Sequence, residues 1–199
     1  MSSQNGFSAG VVPGGLYSRN DIELLVCYML MSVGEPMPRQ DVLDILAGNG
    51  MANLFELGAA IEELLQYGTL LEPQPDVLAL SEKGHTATMT LYDRLPLTLR
   101  ERSVKAALQL LARRRNERQN TVSVQTDDGA CTVTCAVDST SGQAPLMTLS
   151  LRVADTAQAQ MIREHFLDDP ALLYRSVLAI LTGDAGMRMD DRQIVIQLP

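Results

Sequence analysis

Three helix-length apolar patterns, each closed by a glycine, open this chain, and two short extended runs joined by a proline-rich turn follow them. That order of periods, helical three times and then alternating, constrains the fold more than any other feature, because each period fixes which side chains can share a buried face. The first helix begins at Ser18 or Asn20, either of which can cap it, carries Ile22, Leu25, Val26, Met29 and Leu30 on one side, and stops at Gly34 and Pro36. The second follows Pro38 with Val42, Ile45 and Leu46 inward and ends at Gly48. The third runs from Asn53 to Tyr67, burying Leu54, Leu57, Ile61, Leu64 and Leu65 before Gly68 ends it.

Residues 69–72 and 77–80 then form a hairpin across Pro73, Gln74, Pro75 and Asp76, and Ser81 caps a further helix carrying Met89, Leu91, Tyr92 and Leu95. Helix, helix, helix, hairpin, helix is the order of a winged helix-turn-helix. An amphipathic helix follows over residues 96–118, with Val104, Leu108 and Leu111 as its apolar stripe. Beyond it lie three alternating strands, marked by Val122 and Val124, by Cys131, Val133, Cys135 and Val137, and by Met147, Leu149, Leu151 and Val153. Turns are expected at Asp127, Asp128 and Gly129 and over residues 139–145. One helix then carries Met161, Ile162 and Phe166, and another, entered through Asp169 and Pro170, carries Leu173, Val177, Ile180 and Leu181. A last strand through Ile194, Ile196 and Leu198 follows a loose connection.

The chain is therefore expected to be α+β. A flexible tail over 1–17 precedes a winged-helix domain over 18–95, a basic linker helix over 96–118, and an α+β domain over 119–199, a small antiparallel sheet with two helices suited to ligand sensing or dimerisation. The tail carries Gly10, Gly14 and Gly15 and, through residue 16, no charged side chain.

Charge is distributed unevenly. The net formal charge is -8, yet residues 94–118 alone carry +6, against -9 before them and -5 after. Half of the 16 lysines and arginines lie in that stretch, which makes Arg113, Arg114, Arg115 and Arg118, with Arg100, Arg102 and Lys105, the one footprint suited to a polyanion. No run of about 18 apolar residues offers a membrane span, and no basic residue precedes Arg19 as in a secretory leader, so a cytoplasmic location is expected.

Enzyme chemistry finds no foothold. There is no glycine-rich phosphate loop, no nucleophile elbow and no metal-binding helix motif, and no cofactor is expected. Cys131 and Cys135, four apart on a strand, would place their Cα atoms about 13 Å apart, beyond the roughly 7 Å that a disulfide spans. Cys27 reads as a buried thiol, His165 as a structural histidine beside Met161 and Phe166, and His85 is isolated. The carboxylate pairs Asp127–Asp128 and Asp190–Asp191 belong to turns or loops.

The stretch NLFELGAAIEELLQYG at 53–68, LSEKG at 80–84, YDRLP at 92–96 and the strand and helix order near the C-terminus together resemble an uncharacterised bacterial domain-of-unknown-function family of small winged-helix proteins. That family is distantly similar to phenolic-acid-type and multiple-antibiotic-resistance-type transcription regulators. The resemblance covers residues 18–182 and implies a winged-helix fold; it supplies neither ligand nor operator.

Two functions follow as expectations. The first is a dimeric winged-helix transcription regulator touching DNA through Arg39, Asn53, Lys83, Arg113, Arg114, Arg115 and Arg118, its two-fold contact made by the linker helix or the C-terminal sheet. Asn53 can read an adenine edge or cap its own helix. Against direct readout, no Arg or Lys lies between Arg39 and Lys83, and the third helix offers Glu56, Glu62 and Glu63. The second is a protein-interaction module on the same scaffold, using those three glutamates.

Overall fold

The computed structural model describes residues 10–127, 130–138, 144–183, 186–190 and 193–197. Among them the chain is mixed α+β, with seven α-helices, two three-stranded antiparallel sheets and one two-stranded ladder. It divides into two compact units, residues 1–110 and 111–199.

The first unit holds α1 (Arg19–Val33), β1 (Met37–Pro38), α2 (Arg39–Gly48), α3 (Leu54–Gln66), β2 (Leu70–Gln74), β3 (Val77–Leu80) and α4 (Glu82–Leu91). A 3-10 turn over Tyr92–Arg94 leads to α5 (Leu97–Gln119). Ile22, Leu25, Val26, Met29 and Leu30 of α1, Val42, Ile45 and Leu46 of α2, and Leu57, Ile61 and Leu64 of α3 are all buried, as their spacing requires. Leu54 and Leu65 depart from the expected face of α3: Leu54 is 51% exposed and Leu65 half-buried, with Ala60 buried in their stead.

The strand β1 is invisible in a periodicity count because it has only two residues. It pairs antiparallel with β3, Met37 opposite Leu78 and Pro38 opposite Val77, so the sheet runs β1-β3-β2. Met37 and Leu78 are both fully buried, and that contact is what two residues of strand contribute to the core. The hairpin turns at Asp76, whose φ of 58° is one that Asp tolerates better than most residues.

Ser81 joins the hairpin to α4. Its Oγ accepts from the Gly84 N–H at 3.0 Å as an N-cap, while its own proton is directed at the Gly68 and Thr69 carbonyls, 2.8 and 2.9 Å away. Gly84 lies so close that a Cβ there would stand 2.4 Å from the Thr69 carbonyl oxygen. Consequently α4 turns Gly84 and Thr88 inward, whereas Met89 and Leu91, the apolar residues that marked this helix in the sequence, are 54% and 41% exposed. The face of α5 differs in the same sense. Leu99, Ser103 and Ala107 are its buried residues, while Leu108 of the expected stripe is 52% exposed and Val104 and Leu111 are half-buried.

The described part of the expected tail, residues 10–17, is hydrogen-bonded to the α2–α3 turn. Val12 N–H donates to Gly50 O at 3.0 Å and Leu16 N–H to Met51 O at 2.8 Å, and the Leu16 side chain is buried. Gly50 permits this approach, since a Cβ there would lie 2.6 Å from a Val12 methyl.

The second unit takes the end of α5 and adds β4 (Asn120–Asp127), β5 (Ala130–Val137), β6 (Met147–Val153), α6 (Thr156–Asp168), α7 (Pro170–Thr182), β7 (Gly186–Asp190) and β8 (Gln193–Gln197). The sheet order is β4-β5-β6, and its register aligns Val122, Cys135 and Leu149 in one row and Val124, Val133 and Leu151 in the next. Central β5 buries Cys131, Val133, Cys135 and Val137, and its core continues into Ala159, Phe166 and Leu167 of α6. The alternate residues, Thr132, Thr134, Thr148 and Ser150 among them, make the opposite face polar. The expected last strand is β8, paired with β7 where a loose connection was expected. His165 is exposed and so belongs to no core. The expected turns at Asp128–Gly129 and 139–143, tail residues 1–9, and Asp191 and Leu198 lie outside the described residues.

Candidate functional site

Helix α3 is held at both ends and along one flank by side chains that the sequence made candidates for contact. Asn53 Oδ1 accepts from the backbone N–H groups of Phe55 at 2.8 Å and Glu56 at 3.3 Å; the residue is buried and serves as the N-cap. Lys83 Nζ donates to the Tyr67 carbonyl at 3.2 Å, placing a cation at the negative end of the helix. Arg39 reaches Glu62 at 2.5 Å, and its backbone N–H also donates to Asp76 O at 2.7 Å. Arg19, given no role by the sequence, bridges Glu56 at 2.8 Å and Glu63 at 3.0 Å. No spacing rule could have found it, because Arg19 lies 37 and 44 residues from its partners.

These ion pairs are partly solvated, so each contributes about 0–1 kcal/mol of stability. Their larger effect is on potential. Glu56, Glu62 and Glu63 each face a guanidinium, which leaves the helix far less acidic than its sequence suggests. It also commits Arg39, the candidate phosphate contact, to a carboxylate.

At its N-terminal end α3 leaves apolar side chains to solvent. Phe55 is 78% and Leu54 is 51% exposed, and a Cβ at Gly58 would have nothing within 4 Å. Residues 55, 58, 59 and 62 recur at helical spacing, so Phe55, Gly58, Ala59 and Glu62 line one side. These four residues supply no cation of their own for a phosphate, and apart from Glu62 no polar side chain for a base edge.

The arginines of α5 also divide. Within the second unit Arg113 pairs with Glu164 and, at 2.6 Å, with Asp168, donates to the Glu164 carbonyl at 3.2 Å, and meets Glu117 at 3.3 Å. Burial works against its charge, but the hydrogen bonds to Asp168, Glu164 and Glu117 outweigh that and hold the guanidinium above its ordinary range. Asn116, one turn on, donates to the Leu167 and Asp168 carbonyls at 2.9 and 3.2 Å, so both residues cap the C-terminus of α6. Within the first unit Arg100 lies over the rings of Tyr28 and Tyr92, 5.8 and 5.1 Å from their centroids, and Arg102 donates to Asn49 O at 3.0 Å. Arg118 donates to the Arg114 carbonyl at 3.3 Å, and the side chains of Arg114, Arg115, Arg118 and Lys105 are exposed.

Among the described residues no group of three or more His, Cys, Asp or Glu could hold a metal ion, and no helix is long and apolar enough to cross a membrane. No curated protein and no solved structure matches the chain significantly. A family profile does, over residues 22–181, which span α1 through nearly all of α7, and the chain thus belongs to the family described as a domain of unknown function, DUF4364.

Proposed function

We propose that the first unit is a winged-helix module whose third helix docks a protein partner, and that the chain is a cytoplasmic regulator acting through that contact. The element order and the sheet order β1-β3-β2 support the winged-helix reading. One observation carries the docking reading: Phe55, 78% exposed beside Leu54, sits on a helix whose carboxylates are matched by intramolecular arginines. An exposed aromatic flanked by small residues is the chemistry of a protein contact, in which it fills an apolar pocket.

Affinity capture with the full chain tests this. Captured protein should survive nuclease treatment and be lost with Phe55→Ser, an exposed change that leaves the fold intact. Capture that nuclease abolishes, or that Phe55→Ser leaves unaltered, overturns the reading.

A second reading, a dimer that binds DNA as a transcription regulator, is favoured by the exposed arginines Arg114, Arg115 and Arg118 of α5. It requires an affinity for duplex that falls steeply with salt and is lost when the three are changed to Glu. A chain that light scattering finds monomeric at micromolar concentration removes it.

A further inference from the structure

The sheet of the second unit runs β4-β5-β6, so the outer side of β6 turns a row of backbone N–H and C=O groups toward no other strand among the described residues. Such an edge is a template for a further strand, and natural sheets guard against it with proline, bulges, lysine or shortness. The sheet of the first unit is guarded on both sides. Its edge strand β1 has two residues and ends in Pro38, and β2 carries Pro73 and an irregular register between Leu71 and Gln74. Strand β6 has none of these devices. Its seven residues, Met147–Val153, pair with β5 in unbroken register, and they hold one charged side chain, Arg152, and neither proline nor lysine.

This edge is also apolar on one face. Met147, Leu149, Leu151 and Val153 alternate onto the core side of the sheet, where cover is incomplete: Leu151 is 39% exposed, although Val133 opposite it on β5 is fully buried. Leu146, just before the strand, is 57% exposed. Thr148, Ser150 and Arg152 line the other face and are exposed. The opposite edge of the sheet offers less, since β4 sets only Val122 and Val124 on the core side, between Asn120 and Thr126.

We propose that β6 pairs antiparallel with β6 of a second copy of this chain, about a two-fold axis through Ser150, to make one six-stranded sheet. The strand is complementary to itself in that register. A two-fold contact brings residue i to residue j and j to i, and centring a strand of seven residues on its middle one keeps every side chain on its own face. Leu149 then meets Leu151 of the second copy and Met147 meets Val153 of the second copy, and each contact occurs twice. On the polar face Thr148 meets Arg152 of the second copy, and Ser150 meets its own counterpart, so no like charges stand opposite each other. The added ladder is about 24 Å long. It satisfies the open backbone row and covers Leu151, the apolar side chain that the single sheet leaves at its rim. The pairing uses no residue of α3 and is independent of the docking reading.

Analytical ultracentrifugation of the full chain tests this. The wild-type chain should sediment as a dimer at micromolar concentration and dissociate on dilution, because a single ladder is a small interface. Ser150 is exposed and lies on the axis, so a charge placed there faces the same charge on the second copy. Ser150→Lys and Ser150→Asp should each be monomeric, and an equimolar mixture of the two should dimerise again, which a variant that had merely lost its fold could not do. Ser123→Lys is the matching change on β4, since Ser123 and Ser150 both lie opposite Thr134, and it should leave the dimer intact. A monomeric wild-type chain, a dimer that persists in Ser150→Lys, a mixture that stays monomeric, or dissociation by Ser123→Lys overturns the proposal.

Discussion

Gly84→Ala sets two effects of opposite sign against each other. Gly84 lies in the first turn of α4, and on helix propensity alone alanine should stabilise that position by up to about 1 kcal/mol. The structure reverses the sign. The added Cβ would stand 2.4 Å from the Thr69 carbonyl oxygen and 2.8 Å from a Leu80 methyl. The leucine can turn away, but the carbonyl is backbone and accepts from both Ser81 N–H and Ser81 Oγ, at 3.0 and 2.9 Å. Overpacking of this kind costs about 1–3 kcal/mol, and weakening the two hydrogen bonds adds about 1 kcal/mol. After the propensity gain is subtracted, the variant should be about 2 kcal/mol less stable than the parent. Urea unfolding followed by far-ultraviolet circular dichroism measures this. Gly58→Ala is the control, a helical glycine with nothing near its Cβ position, and it should gain about 0.5–1 kcal/mol. A Gly84→Ala chain as stable as the parent would show that α4 slides on the hairpin at little cost, and would refute the reasoning.

Arg113→Ala should destabilise the second unit by about 1–2 kcal/mol, because it uncaps α6 and leaves Glu164 and Asp168 without their cation. Arg113→Lys should recover only part, since one ammonium cannot serve three acceptors in the plane of a guanidinium. Equal stability of Arg113→Ala and parent in thermal unfolding would contradict this. The thiols should resist modification in the native chain. Burial chiefly, and the charge of Glu23, push Cys27 up to about 12 against a hydrogen bond from Thr88, and burial holds Cys135 above its ordinary range. Cys131 is buried as well, so Ellman's reagent at pH 8 should react quickly with the cysteines only after unfolding, and rapid native labelling would argue against this core.

What the sequence disclosed was local. Asn53 and Ser81 cap helices because short polar side chains before apolar periodic runs do so, and both caps are present. The strands β4, β5 and β6 were visible in strict alternation. What it withheld depends on contacts between distant residues. The strand β1 exists only because β3, some forty residues on, pairs with it. On α5 the buried face runs through Ser103 and Ala107, and a search for large apolar residues passes over the small ones that allow close approach. The arginine triplet looked uniform, yet Arg113 is half-buried and meets Glu164 and Asp168, 51 and 55 residues away, while Arg114 and Arg115 are exposed. Glu56 and Glu63 seemed free acids for the same reason, their partner lying on another helix.

The ties on α3 bear on how such a chain can vary. Its cap, its C-terminal cation and its flanking arginines all bond the helix through backbone groups at its ends or through its glutamates, and none of these bonds uses the side chain of Phe55. The outer side chains can therefore be exchanged without disturbing whatever fixes the helix in place. Specificity can drift while architecture stays constant, and a library randomised at 55, 58 and 59 would display new surfaces on an unaltered scaffold.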